Sequence, residues 1–152
     1  MLDIDTYEKI VDRMHRKLTT CSDICRFTSP EEDWSIIELV SHLVDSASNN
    51  HQRFIRLQYE KELFFPGYDA EAWRNISKMR DADYAQMVEL WKTFNWYLIE
   101  LLKRMDPAAL SNCWNTDGRQ LSLQFLVEDY FGHLLWHEKL FDDIAVHARS
   151  NP

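Results

Sequence analysis

His133 and His137 stand four residues apart in Gly132-His-Leu-Leu-Trp-His-Glu138, inside a long stretch of helical hydrophobic spacing. Four residues advance an α-helix by slightly more than one turn, so both imidazoles leave the same face with Cβ atoms about 5–6 Å apart. Two rings so placed can grip one metal ion. A third imidazole from a neighbouring helix would complete a three-nitrogen site with a position left for water or substrate. His42 is the candidate third ring, on the inward half of a second helical stretch far upstream. The competing reading is a pair of neutral core histidines that donate to backbone carbonyls or to a Tyr hydroxyl. Position favours the metal, because Tyr130, Leu134 and Phe141 share the stripe and unpaired imidazoles are costly to bury there.

Carboxylates lie close by in sequence. Asp129 is one turn before His133, Glu138 follows His137, and Asp45 comes three residues after His42. A metal-bound histidine commonly gives its second N–H to a carboxylate, which makes Asp45 and Asp129 candidates for orienting the rings or moving protons. Asn49, one turn beyond Asp45, is a candidate for the mouth of the same cavity. His51 falls nine residues after His42, a rotation of about 180° on a helix, and is expected to face outward. His15 and His147 are expected to be solvated.

The elements that must hold these residues are helical. Ile4, Tyr7, Ile10, Val11, Met14 and Leu18 predict a first amphipathic helix over 3 to about 25, followed by a polar turn across 28–33. Ser35 and Glu38 read as a capping box opening a second helix that reaches about residue 60, with Trp34 as its staple. A crossover loop follows, in which Asp69 caps a short turn carrying Trp73. A third helix is predicted over about 83–105, stopped by Asp106-Pro107. After a turn signal at 115–119, Ser122 caps a fourth helix running to about 148. The expectation is an all-α four-helix bundle with a long crossover between helices two and three, a fold that builds metal sites from facing helices.

Composition agrees with that class and narrows the function. With only three Gly and four Pro against 45% hydrophobic residues, the 152-residue chain has the usage of a helical protein and the length of one domain spanning 1–152. A net charge of −8 repels nucleic-acid backbones and anionic membrane surfaces, so neither is an expected partner. No leader-like start and no run near the roughly 20 apolar residues of a membrane span appear, and the cytoplasm is the expected location. Three cysteines without a C-x-x-C pair argue against a disulfide framework, and Cys21 and Cys25 read as small buried hydrophobes.

Two segments together resemble a known family. Trp34-Ser35-Ile36-Ile37-Glu38-Leu39-Val40-Ser41-His42-Leu43-Val44-Asp45, followed by His133-Leu-Leu-Trp-His137, is similar to the DinB-like superfamily and within it to the YfiT-like branch. The likeness continues through Asn50-His-Gln-Arg53-Phe54 and Tyr68-Asp-Ala-Glu-Ala-Trp73, covering residues 30 to 145. The resemblance implies a four-helix bundle with His42, His133 and His137 around a divalent ion, nickel or zinc. It also implies an enzyme acting on a small-molecule substrate, by metal-assisted hydrolysis or by transfer to a low-molecular-weight thiol; a mycothiol-dependent isomerase belongs to the same superfamily. A noncatalytic bundle with a structural metal is the alternative. Trp136 and Leu140 depart from the pattern, where many relatives carry a histidine before the last ligand and Gln or His after it. Trp136 is expected in the core or at a contact between copies, and the wealth of Trp and Phe points to a homodimer.

Overall fold

The four predicted helices form, with shifted ends and company between them. The computed structural model describes residues 2–28 and 33–150. The helices are α1 (Ile4–Thr19), α2 (Ile36–Arg56), α3 (Ala70–Ser77), α4 (Tyr84–Lys103) and α5 (Leu123–Ser150). Aspartates cap α1, α3 and α4, where Asp3, Asp69 and Asp83 accept from the backbone N–H groups of Thr6, Ala72 and Gln86. At α5, Ser122 Oγ accepts from Phe125 N–H at 3.2 Å. The Ser35–Glu38 capping box opens α2.

α1 stops short of the predicted residue 25. Thr19 and Thr20 turn their hydroxyls back onto the carbonyls of Arg16 and Lys17, competing with the helical ladder. A 3₁₀ turn at Ser22–Ile24 follows. Cys21 and Cys25 flank it as buried free thiols. Of the polar turn expected at 28–33, residues 29–32 lie outside the described residues.

α1 and α2 each pack against both α4 and α5. The shared core includes Met14, Leu18, Leu43, Phe54, Trp91, Leu98, Phe131 and Phe141. Tyr7 stacks on Phe131 at 3.9 Å between centroids. Buried polar groups in this interior are tied together: Tyr130 Oη donates to Asn95 Oδ1 at 2.6 Å, and Asn95 Nδ2 to the Trp91 carbonyl at 2.8 Å. Arg13 closes a bidentate pair with Glu138, both contacts at 2.7 Å, joining α1 to α5.

The all-α expectation needs correction, because a three-stranded sheet sits in the connections. β1 (Glu62–Phe64) runs parallel to β2 (Cys113–Thr116), which pairs antiparallel with β3 (Arg119–Ser122). The hairpin turns through Asp117 and Gly118 at φ 47° and 72°, a two-residue loop whose positive φ values match the twist of the strands. Nothing lies within 4 Å of a Cβ added at Gly118. Gly118→Ala is therefore expected to cost about 1–2 kcal/mol from backbone strain alone, read as a lower urea midpoint with an unchanged slope.

No helix among the described residues is long and apolar enough to cross a membrane.

Candidate metal centre

The capping box sets the start of α2, and the helix carries His42 inward about two turns after Ser35, while α5 brings up His133 and His137 on a facing stripe. One ring nitrogen from each of the three lies within 4.8 Å of the others. His133 Nε2 and His137 Nε2 are 3.0 Å apart. The His42 ring centroid stands 5.6 Å from that of His133 and 5.2 Å from that of His137. His137 is 3% exposed, and the other two rings are half-buried.

The electrostatics suit a cation and oppose extra protons. Burial, with repulsion from His133, pushes His42 down to about 4; burial, then His133 and His42, pushes His137 down to about 3. Burial lowers His133 as well, partly offset by the negative charge of Asp129. All three rings are neutral at pH 7 and present lone pairs. Two neighbouring nitrogens on a tetrahedral ion with bonds of 2.0–2.1 Å stand about 3.3 Å apart, close to the observed Nε2 pair. His137 Nδ1 is buried without a protein partner. Among the described residues no fourth His, Cys, Asp or Glu joins the cluster. The donor set therefore fits a divalent ion with an open coordination position.

Acidification should destabilise the metal-free protein. Above the unfolded histidine value of 6.5 these groups contribute nothing; as pH falls toward the folded values near 4 and 3, the unfolded chain takes up protons that folded His42 and His137 refuse. Asp45, raised by burial from 3.8 to about 6, acts oppositely over that window. The histidines outweigh it, and chelator-treated protein is expected to lose on the order of 3 kcal/mol between pH 7 and 4.5, measured by urea unfolding at the two pH values.

The groups around the rings are partly those expected. Asp45 is half-buried in a recess with Trp34, Glu38 and Arg74, and its carboxyl makes no hydrogen bond to His42. Asp129 is exposed at the rim of a groove of about 460 Å³ that opens over His42 and His133. Asn49 is buried and donates to the Asp45 carbonyl of its own helix at 2.9 Å; the groove takes Asn50 instead. The Tyr68 hydroxyl lies 3.5 Å from His42 Nδ1. Burial lifts that phenol to about 12, so it stays protonated. In the sequence Tyr68 is only part of the Tyr68–Trp73 loop motif, since spacing cannot show that a loop folds back over a helix.

Other histidines correct the sequence expectations. His51 packs edge-on to Phe94 and Tyr97 of α4, because the face of α2 opposite His42 is covered by another helix rather than by water. His15 is half-buried and 2.7 Å from Glu89 Oε1, and His147 is half-buried too. Trp136 is 59% exposed and so does not enter the core; its ring stands 4.7 Å from His137. Trp34 does more than flank the cap: it lies edge-on to His42 at 5.6 Å and under the Arg74 guanidinium at 4.7 Å.

A family model described as the DinB superfamily matches residues 7–140. The chain belongs to the DinB superfamily. Within the superfamily it is similar to the protein named "Putative metal-dependent hydrolase YfiT" of Bacillus subtilis (strain 168), 22% identical over 139 residues that cover 88% of this chain and 76% of that one. The solved structure of YfiT from Bacillus subtilis, described as a probable metal-dependent hydrolase with an unusual four-helix bundle topology, superposes with a TM-score of 0.84. That match covers 97% of this chain and 90% of the other at 16% identity, a likeness of fold. The DinB assignment thus agrees with the resemblance drawn from the Trp34–Asp45 and His133–His137 segments.

Proposed function

We propose that this DinB-superfamily protein is a metal-dependent enzyme in which His42, His133 and His137 hold one divalent ion, nickel or zinc, and act on a small molecule by hydrolysis or by transfer to a low-molecular-weight thiol. The observation that carries the reading is the convergence of three neutral imidazoles with no fourth protein ligand among the described residues. A closed, four-ligand set would suit a structural clip; an open one suits catalysis.

Three neutral ligands leave an ion's full positive charge available to lower the pKa of water or a thiol toward neutrality. The protein's own residues supply the rest. The half-buried Asp45 carboxyl, held near 6, can take up a proton close to neutral pH. The Tyr68 hydroxyl faces His42 Nδ1 and can fix that ring's orientation. Asp129 favours charge on the His133 ring from the groove rim. The neighbouring YfiT, by its name a metal-dependent hydrolase, supports the hydrolytic branch.

Protein purified without an affinity tag should carry close to one equivalent of nickel or zinc by elemental analysis. Hydrolysis of small amides and esters, or conjugation of an electrophile to a low-molecular-weight thiol, should disappear on chelation and return on reloading. Tag-free protein that takes up neither ion at micromolar concentration would end the proposal.

A further inference from the structure

Arg53 is buried, 7% exposed, and lines the same groove as His42, Tyr68 and His133. Its charge has no counterpart: no Asp or Glu among the described residues pairs with it. Other arginines of the protein are answered, Arg13 by Glu138 and Arg74 by Glu38 and Asp33. Arg53 makes one long contact, Nη1 to Asn50 Oδ1 at 3.4 Å, and its Nε is buried with no acceptor. A desolvated guanidinium with an unmet donor is costly. The fold nevertheless keeps it there, with its central carbon 3.9 Å from the centroid of the Trp114 ring. Trp114 is itself fixed, its Nε1 donating to the Phe65 carbonyl at 2.7 Å. A planar guanidinium laid on an indole keeps its edge donors free in the plane, the geometry that receives an oxyanion on two N–H groups.

Placement gives this a direction. Eleven residues of α2 separate Arg53 from His42, three turns that return to the same face within about 20° after about 16 Å of rise. Ser46 and Asn50 lie between them along the groove. Arg119 lines the groove as well, and the opposing carboxylate, Asp129, is exposed at the rim, where water screens it. We propose that Arg53, clamped on Trp114, anchors the oxyanion of a small substrate, carboxylate or phosphate, whose reacting bond lies toward His42, His133 and His137. The anchor's link to catalysis rests on the metal-centre reading; the anion site itself does not.

The test uses chelator-treated protein, so that an anion cannot bind through an ion. The Arg53 Nε–H resonance, assigned with an Arg53→Lys variant, is followed by ¹⁵N NMR at constant ionic strength against acetate, inorganic phosphate, neutral acetamide and chloride. A saturable shift with acetate or phosphate, absent with acetamide and chloride, is expected, and the tighter of the two names the source of the oxyanion. Arg53→Lys keeps the charge without the fork and, with the Trp114 Nε1–H resonance followed in both proteins because the variant has no guanidinium, should weaken that binding at least tenfold. An equal response to acetamide, no response to either oxyanion, or undiminished affinity in Arg53→Lys would overturn the proposal while leaving the metal centre untouched.

Discussion

His137→Ala should leave the protein unable to hold a divalent ion, with bound metal falling from near one equivalent to below about 0.1 and affinity dropping more than about 100-fold. Changes merely to the partners of a metal ligand cost 10–100-fold, and this substitution removes a ligand and the 3.0 Å pairing of Nε2 atoms with it. The same variant should lose little stability without metal, because the ring it deletes carries a buried Nδ1 that no protein group satisfies. The two readouts part company in one experiment. Wild-type protein gains about 2.7 kcal/mol when free ion reaches 100 times its Kd, whereas the variant gains nothing measurable in urea unfolding. A variant that still retains one tightly bound ion per chain would refute the three-histidine assignment.

Glu38→Ala should be the most damaging single change outside the apolar core. The Glu38 carboxylate accepts from the Ser35 backbone N–H at 2.9 Å and from its hydroxyl at 2.6 Å, and meets Arg74 Nε at 3.1 Å. Burial alone would raise this carboxyl, yet the Ser35 and Arg74 contacts bring it below its ordinary range. Both side chains are largely enclosed, 10% and 14% exposed. Arg74 keeps Asp33 as a partner, so the cost is that of one enclosed charge-assisted contact together with half of the capping box, roughly 2–4 kcal/mol. The damage should reach the metal centre, because Arg74 ties α3 to α2 and covers Trp34, which lies against His42. Metal affinity is expected to fall about tenfold. Glu38→Gln, which can still receive the Ser35 bonds, should fall between the two. Urea unfolding and metal titration of both variants check the order; equal stability of Glu38→Ala and wild type would contradict it.

Helices and ring pair were legible because they are local. The i, i+4 spacing of His133 and His137 fixes a shared face by helical geometry, and the cap residues Ser35, Asp69, Asp83 and Ser122 each stand next to a helix they help to start. Bringing His42 to that pair needed the family resemblance, since periodicity places a ring on a face without saying which helix that face meets. His51 shows the same gap in reverse: rotation put it opposite His42, but only the packing of α4 decides that the opposite side is dry. The strands were missed because they are three or four residues long, and β1 finds its partner about fifty residues away. Asp117-Gly118 between Trp114 and Leu121 was nevertheless a hairpin signal of good quality. Spacing puts Arg53 on the face of α2 that carries His42, eleven residues and three turns away, but its burial without a counter-charge is a tertiary property that spacing does not carry.

Because Trp114 lies on β2, the central strand, the floor beneath Arg53 is held from both sides, by three residue pairs to β1 and four to β3. The connections thus build the wall that carries Trp114 while the helices carry the three rings, so substitutions in the hairpin can retune what the groove admits without moving the imidazoles.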